Sequence, residues 1–166
     1  MKQMCIPAMA IAVAATVPGP VQAAEGTFTT HALTTDAALD AAKGALAFCR
    51  KQGYQVSVSV TDRAGVPIVL LRDRFAGVHT AETATRKAYT AASFNMDTAS
   101  LAKATETGST SGIRQLDRVL ALGGGLPVES SGSLVGAIGV SGAPGPDKDA
   151  ACAKAGMDAI QELLNF

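Results

Sequence analysis

The stretch "YQVSVSVTDRAGVPIVLLRD", Tyr54 to Asp73, decides the fold class of this chain. Val56, Val58 and Val60 alternate with Gln55, Ser57, Ser59 and Thr61, the period-two pattern of a half-buried strand. "DRAG" is a turn, and "VPIVLLRD" reads as the returning strand. Strands joined by so short a turn run antiparallel, so a mostly antiparallel sheet is expected. Pro67 removes one ladder donor and puts its end of the second strand at an edge.

Upstream, "LTTDAALDAAKGALAFCRKQG" is a helix. Thr34 or Thr35 can cap it, Asp36 sits in its first turn, Arg50 and Lys51 in its last, and Gly53 stops it. Its apolar stripe of Leu39, Ala42, Leu46 and Cys49 turns Cys49 inward. Downstream, "FAGVH" is a loop and "TAETATRKAYTAASF" a helix with a smooth face of Ala81, Ala84, Ala88, Ala91 and Ala92. "DTASLAKATETG" forms a short helix capped at Asp97 or Thr98. "RVLALGGGLPVES" reads strand, glycine turn, strand, and "SLVGAIGVSG" is a last strand, apolar on both faces and so central. "GAPGPDKDAACAKAGMDAIQELL" is a turn and a final helix capped by Asp147, with an inward stripe of Cys152, Ala155, Ala159, Ile160 and Leu163. The whole reads as an α+β domain with about five antiparallel strands, its helices covering the sheet with their apolar stripes.

The first 23 residues read as a secretory signal rather than as fold. Lys2 gives a charged start, Ile6 to Val17 an apolar run, and "VQA" a small-residue cleavage site after Ala23. That leaves residues 24–166 as one domain, exported to the periplasm or the cell exterior. With 14 basic residues against 14 acidic ones, the chain offers no basic patch for nucleic acid. No apolar segment remains after cleavage to enter a membrane. Two cysteines survive it, Cys49 and Cys152. An oxidising compartment invites a disulfide between them, though two buried thiols that never meet fit the sequence equally.

No set of residues here reads as catalytic. There is no G-x-S-x-G elbow, no clustered Cys/His set for zinc, and no C-x-x-C-H for covalent haem. Gly123 to Gly125 lack the Lys-Ser/Thr of a phosphate loop; they read as a tight turn between strands, or as a backbone cradle for a carboxylate. His79 opens the alanine-rich helix, one of only two histidines in the chain. It reads as a capping or solvated residue, with Thr80 a possible cap, or as a ligand. Haem needs an axial donor, an apolar slot and cations for its propionates. His79, the alanine face, and Arg72, Arg74, Arg86 or Lys87 supply those three.

Taken together, "AGVHT", "RKAYTAASF", "GGGLPV", "VGAIGVSGAPGPDKD" and "CAKAGMDAI" resemble the GlcG/HbpS-like haem-binding family over about Leu33 to Ile160. The resemblance implies a profilin-like fold and a bound haem. It implies His79 or Thr80 at the iron, with Arg86, Lys87 and Tyr89 around the same pocket. It also implies an exported protein that holds haem non-covalently for scavenging, storage or sensing, and that assembles as a homo-oligomer. No D/E-x-x-E motif of the kind that goes with iron binding in exported relatives is present. In a profilin-like arrangement the first and last helices lie side by side, which would bring Cys49 to Cys152. Two rival readings stand beside this one. One is a structural or regulatory oligomer without haem, with small-residue faces as its contacts. The other is an enzyme acting on haem or a small carboxylate in the same cleft.

Overall fold

Thr34 opens the first helix, α1 (Thr35–Lys51): its hydroxyl accepts a hydrogen bond from the Ala37 N–H. The structure is a computed structural model that describes residues 26–164. The expected signal segment, 1–23, lies outside the described residues. From His31 onward the chain forms one unit. After α1 come β1 (Ser57–Asp62) and β2 (Pro67–Arg72), then α2 (Thr80–Phe94), α3 (Thr98–Ala104) and a 3-10 turn at Ser109–Gln115. The hairpin β3 (Gly125–Ser130) and β4 (Ser133–Ser141) follows, then α4 (Pro146–Asp158) and the short α5 (Gln161–Leu164).

The strands form one four-stranded antiparallel sheet in the order β2-β1-β4-β3. Pro67 and Pro127 both lie on edge strands, where a missing N–H costs no ladder bond. The apolar β4 is central, paired on both sides. α1 and α4 cover one face and α2 the other.

Four strands replace the expected five because residues 118–122 do not join the sheet. Their backbone bonds go to α2 side chains instead. The Arg86 guanidinium donates to the carbonyls of Arg118 and Val119, and the Leu120 N–H donates to Thr90 Oγ1. With those groups taken, "RVLAL" has no ladder to offer a neighbour. The glycines therefore do not turn between two strands. They let α2 come close: a Cβ on Gly125 would fall 2.4 Å from the Lys87 carbonyl oxygen.

β1 is buried on both faces rather than half-buried, because α2 covers its Ser/Thr side. The alanine stripe of α2 makes that cover possible. Ala84, Ala88 and Ala91 are fully buried in the chain, and a Cβ on Gly139 of β4 would lie 2.1 Å from the Ala84 carbonyl oxygen. This face is therefore neither a porphyrin slot nor a subunit contact, since its area is spent on the sheet. On the other side the core joins the α1 and α4 stripes to Val56, Val58, Val60, Ile138 and Val140. Here Cys49 and Cys152, both fully buried, are joined, with Cα atoms 5.5 Å apart. The cap of α4 is Gly145 with Pro146 following; Asp147 sits in the first turn and makes no cap.

Candidate functional site

The site forms where the chain leaves β2 and enters α2. Asp73 anchors this bend. Its buried carboxylate accepts from Arg50, through Nε at 2.8 Å and through Nη2, and more distantly from the Val56 N–H. Arg72 holds the loop's far side by donating to the Ala76 carbonyl. His79 occupies the cap position of α2 with helical backbone angles, is exposed, and makes no capping hydrogen bond. Its imidazole leans over Gly77, where an added Cβ would lie 2.8 Å from Cε1.

Thr80 is only 1% exposed, and its hydroxyl is engaged. It donates to the Gly77 carbonyl at 2.7 Å and meets Ser57 Oγ at 2.8 Å. Since its one hydrogen goes to Gly77, Ser57 is the donor in the second bond. Thr83 and Lys87 follow on the same face at helical spacing.

Lys87 does not end free in the cleft. Its ammonium donates to Asp149 Oδ2 at 2.7 Å and to the Val140 carbonyl at 3.0 Å, and both side chains of the pair are almost fully buried. Burial pushes the Lys87 ammonium below its ordinary pKa and the Asp149 carboxyl above its own; their ion pair opposes both shifts. The other Asp149 oxygen accepts from the Ala143 N–H at 2.9 Å, so the pair also holds the loop from β4 to α4.

Around these groups lies an open cleft of about 760 Å³, within the usual range for small-molecule sites. Its walls are the loop and first turns of α2, the segment with Leu120 and Leu122, and the Ser141–Pro146 loop. Phe75 stands at its edge with 78% of its surface exposed. Its exposed ring adds apolar surface at the cleft mouth. The walls thus offer apolar surface, a free imidazole and a cation at Arg86.

Of the expected site residues, the cleft gathers His79, Thr80, Arg86 and Lys87. Tyr89 is elsewhere. It stands two residues beyond Lys87, about 200° around the helix. There it lies against Gly65, with the Arg118 guanidinium carbon 4.0 Å from its ring centroid. His31 lies against Leu33, Val135 and Leu163 in a separate small pocket. Asp149 and Phe75 were not expected at the site. The signal for Asp149 was its spacing: it shares the buried stripe of Cys152, Ala153 and Gly156, and a carboxylate there requires a buried cation.

Comparison with known proteins gives this cleft a family context. A family profile described as "Haem degrading protein HbpS-like" matches residues 33–158. A double mutant of HbpS from Streptomyces reticuli has 40% identity and a TM-score of 0.78, over 88% of this chain and 98% of its own. A PduOC:heme complex has 26% identity and a TM-score of 0.73, over 78% and 95%. An uncharacterised 15.0 kDa protein of Citrobacter freundii, from the dhaT-dhaS intergenic region, is 33% identical over 111 residues, 65% of this chain and 78% of its own. With the family profile spanning most of the chain and the same fold in the solved relatives, the protein belongs to the HbpS-like family.

Proposed function

We propose that this protein binds haem non-covalently in the cleft at the start of α2. One observation carries the reading: a cleft of about 760 Å³ opens beside an exposed histidine that makes no capping bond and an exposed aromatic ring. The haem complex of the relative PduOC supports the choice of ligand. Most of the affinity would come from burying the ring against Phe75, Leu120, Leu122 and the Pro144–Pro146 loop. His79 is the axial donor in this reading. Thr80 is the poorer candidate, since ligation would have to break its bonds to Gly77 and Ser57. When bound, the haem iron supplies whatever ligand-binding or redox chemistry the site has.

The reading includes export. It rests on the signal-like residues 1–23, and the joined Cys49 and Cys152 suit an oxidising compartment. Titrating the protein with haemin tests the ligand. A saturable Soret shift that ends at one haem per chain supports the reading. A spectrum that stays that of free haemin throughout refutes it. The family description names haem degradation as well. That activity would show as steady loss of the Soret band when a reductant and oxygen are added to the complex, whereas simple carriage would leave the band intact.

A further inference from the structure

The cations of the main cleft are partly committed. Lys87 is neutralised by Asp149, and two of its three N–H groups are used. Arg86 spends Nε and Nη2 on the carbonyls of Arg118 and Val119. A haem in the cleft would carry two carboxylates, and Arg86 alone offers an unneutralised cation there to meet them.

A second pocket adjoins the cleft. It has a volume of about 420 Å³ and is lined by Arg50, Gln55, Arg72, Asp73, Arg74 and Phe75. Gln55 and Phe75 also line the main cleft, so the two spaces share a wall at these residues. Three guanidinium groups face a single carboxylate here. Asp73 is engaged by Arg50 and the Val56 N–H, and it does not neutralise the other two. Arg72 has one hydrogen bond, to a neutral carbonyl. Arg74 makes no hydrogen bond among the described residues, and its guanidinium carbon lies 5.8 Å from the Phe75 ring centroid. Guanidinium groups match carboxylates in both charge and planar geometry.

We infer that Arg72 and Arg74, at the pocket beside the cleft, form its carboxylate subsite. It receives the propionates of a porphyrin whose ring lies past Phe75. The inference rests on the haem reading and sets the ligand's orientation: propionates toward the end of β2, ring toward α2 and the Ser141–Pro146 loop.

The test compares haemin with haemin dimethyl ester, whose carboxylates are capped. The full chain should bind haemin more tightly than the ester. Arg74→Gln should lower haemin affinity by about tenfold and leave ester affinity unchanged, as loss of a charge-assisted contact requires. Because Arg74 makes no internal hydrogen bond, this variant should fold normally, which circular dichroism checks. In Arg72→Gln/Arg74→Gln the preference for haemin should disappear. Equal binding of both compounds by the unaltered protein, or a preference that survives in the double variant, overturns the subsite while leaving haem binding intact. Failure of the unaltered protein to bind either compound removes the haem reading and the subsite together.

Discussion

The Lys87 ammonium and the Asp149 carboxylate stand 2.7 Å apart beneath the cleft, brought together from positions 62 residues apart. The pair joins α2 to α4 past the end of β4 and, through the Ala143 N–H, fixes one wall of the site. Removing one partner leaves the other buried and unpaired. Lys87→Met and Asp149→Ala should each cost about 3–5 kcal/mol of stability. The double variant Lys87→Met/Asp149→Ala should cost less than the sum. Chemical denaturation of all three measures the coupling, and strict additivity would mean the two groups do not act as a unit.

Close approach of α2 to the sheet gives a sharper prediction at Gly139. One added methyl would collide with the Ala84 carbonyl, which is backbone and cannot swing aside. Gly139→Ala should destabilise by about 3 kcal/mol or more. Gly112→Ala, at a glycine with open space around it, should change stability by less than about 0.5 kcal/mol. Thermal melts of the two variants read the contrast.

Asp97 makes stability depend on acid. Its carboxylate caps α3, accepting from the Ser100 N–H at 2.8 Å. Burial works to raise its pKa, but hydrogen bonds from Ser100 and the Ala99 N–H outweigh that and hold it below the usual range. A folded-state pKa below the unfolded one means stability that is full above the unfolded value, about 3.9. It is lost as pH falls through the lowered folded value. Asp97→Ala should therefore cost about 1 kcal/mol at neutral pH. The gap between variant and parent should close as pH falls through that lowered value. Denaturant midpoints at several pH values follow the gap, and one that stays constant would rule out the charged cap.

Much of the fold was legible because its signals are local. The Val56–Val58–Val60 alternation, the Asp62–Gly65 turn, Pro67 at an edge and the Thr34 cap each follow from a few neighbouring residues. What was missed depends on contacts between distant segments. Nothing near Val119 and Leu120 announces that Arg86 and Thr90 will take their backbone bonds. The serines of β1 look solvated until α2 covers them. The alanine stripe looked like a contact for something else because its partner, Gly139 of β4, lies some fifty residues on. In the site, His79, Thr80, Arg86 and Lys87 were legible as a cluster on one helix end. Tyr89 was misplaced by treating "RKAYTA" as one surface, although helical geometry turns it away. Asp149 was hidden among the capping residues of the last helix.

Cys49 and Cys152 link α1 to α4 behind the sheet. In the oxidised protein, reduction should lower stability by about 2–4 kcal/mol. Mass spectrometry after alkylation in denaturant, without reductant, reads the bond directly. A chain two hydrogens light with no alkylation is expected. Two alkylated cysteines per chain would show that the thiols stay free.

Haem ligation by His79 is tested most directly by the absorption spectrum of the haem complex in three proteins: the parent, His79→Ala and His31→Ala. Ligation through His79 predicts that His79→Ala shifts the Soret band and weakens haem binding by about tenfold or more, as removal of a first metal ligand should. His31→Ala, altered in a separate pocket, should keep the parent's spectrum and affinity. A His79→Ala complex identical to the parent in both spectrum and affinity would contradict ligation by this histidine.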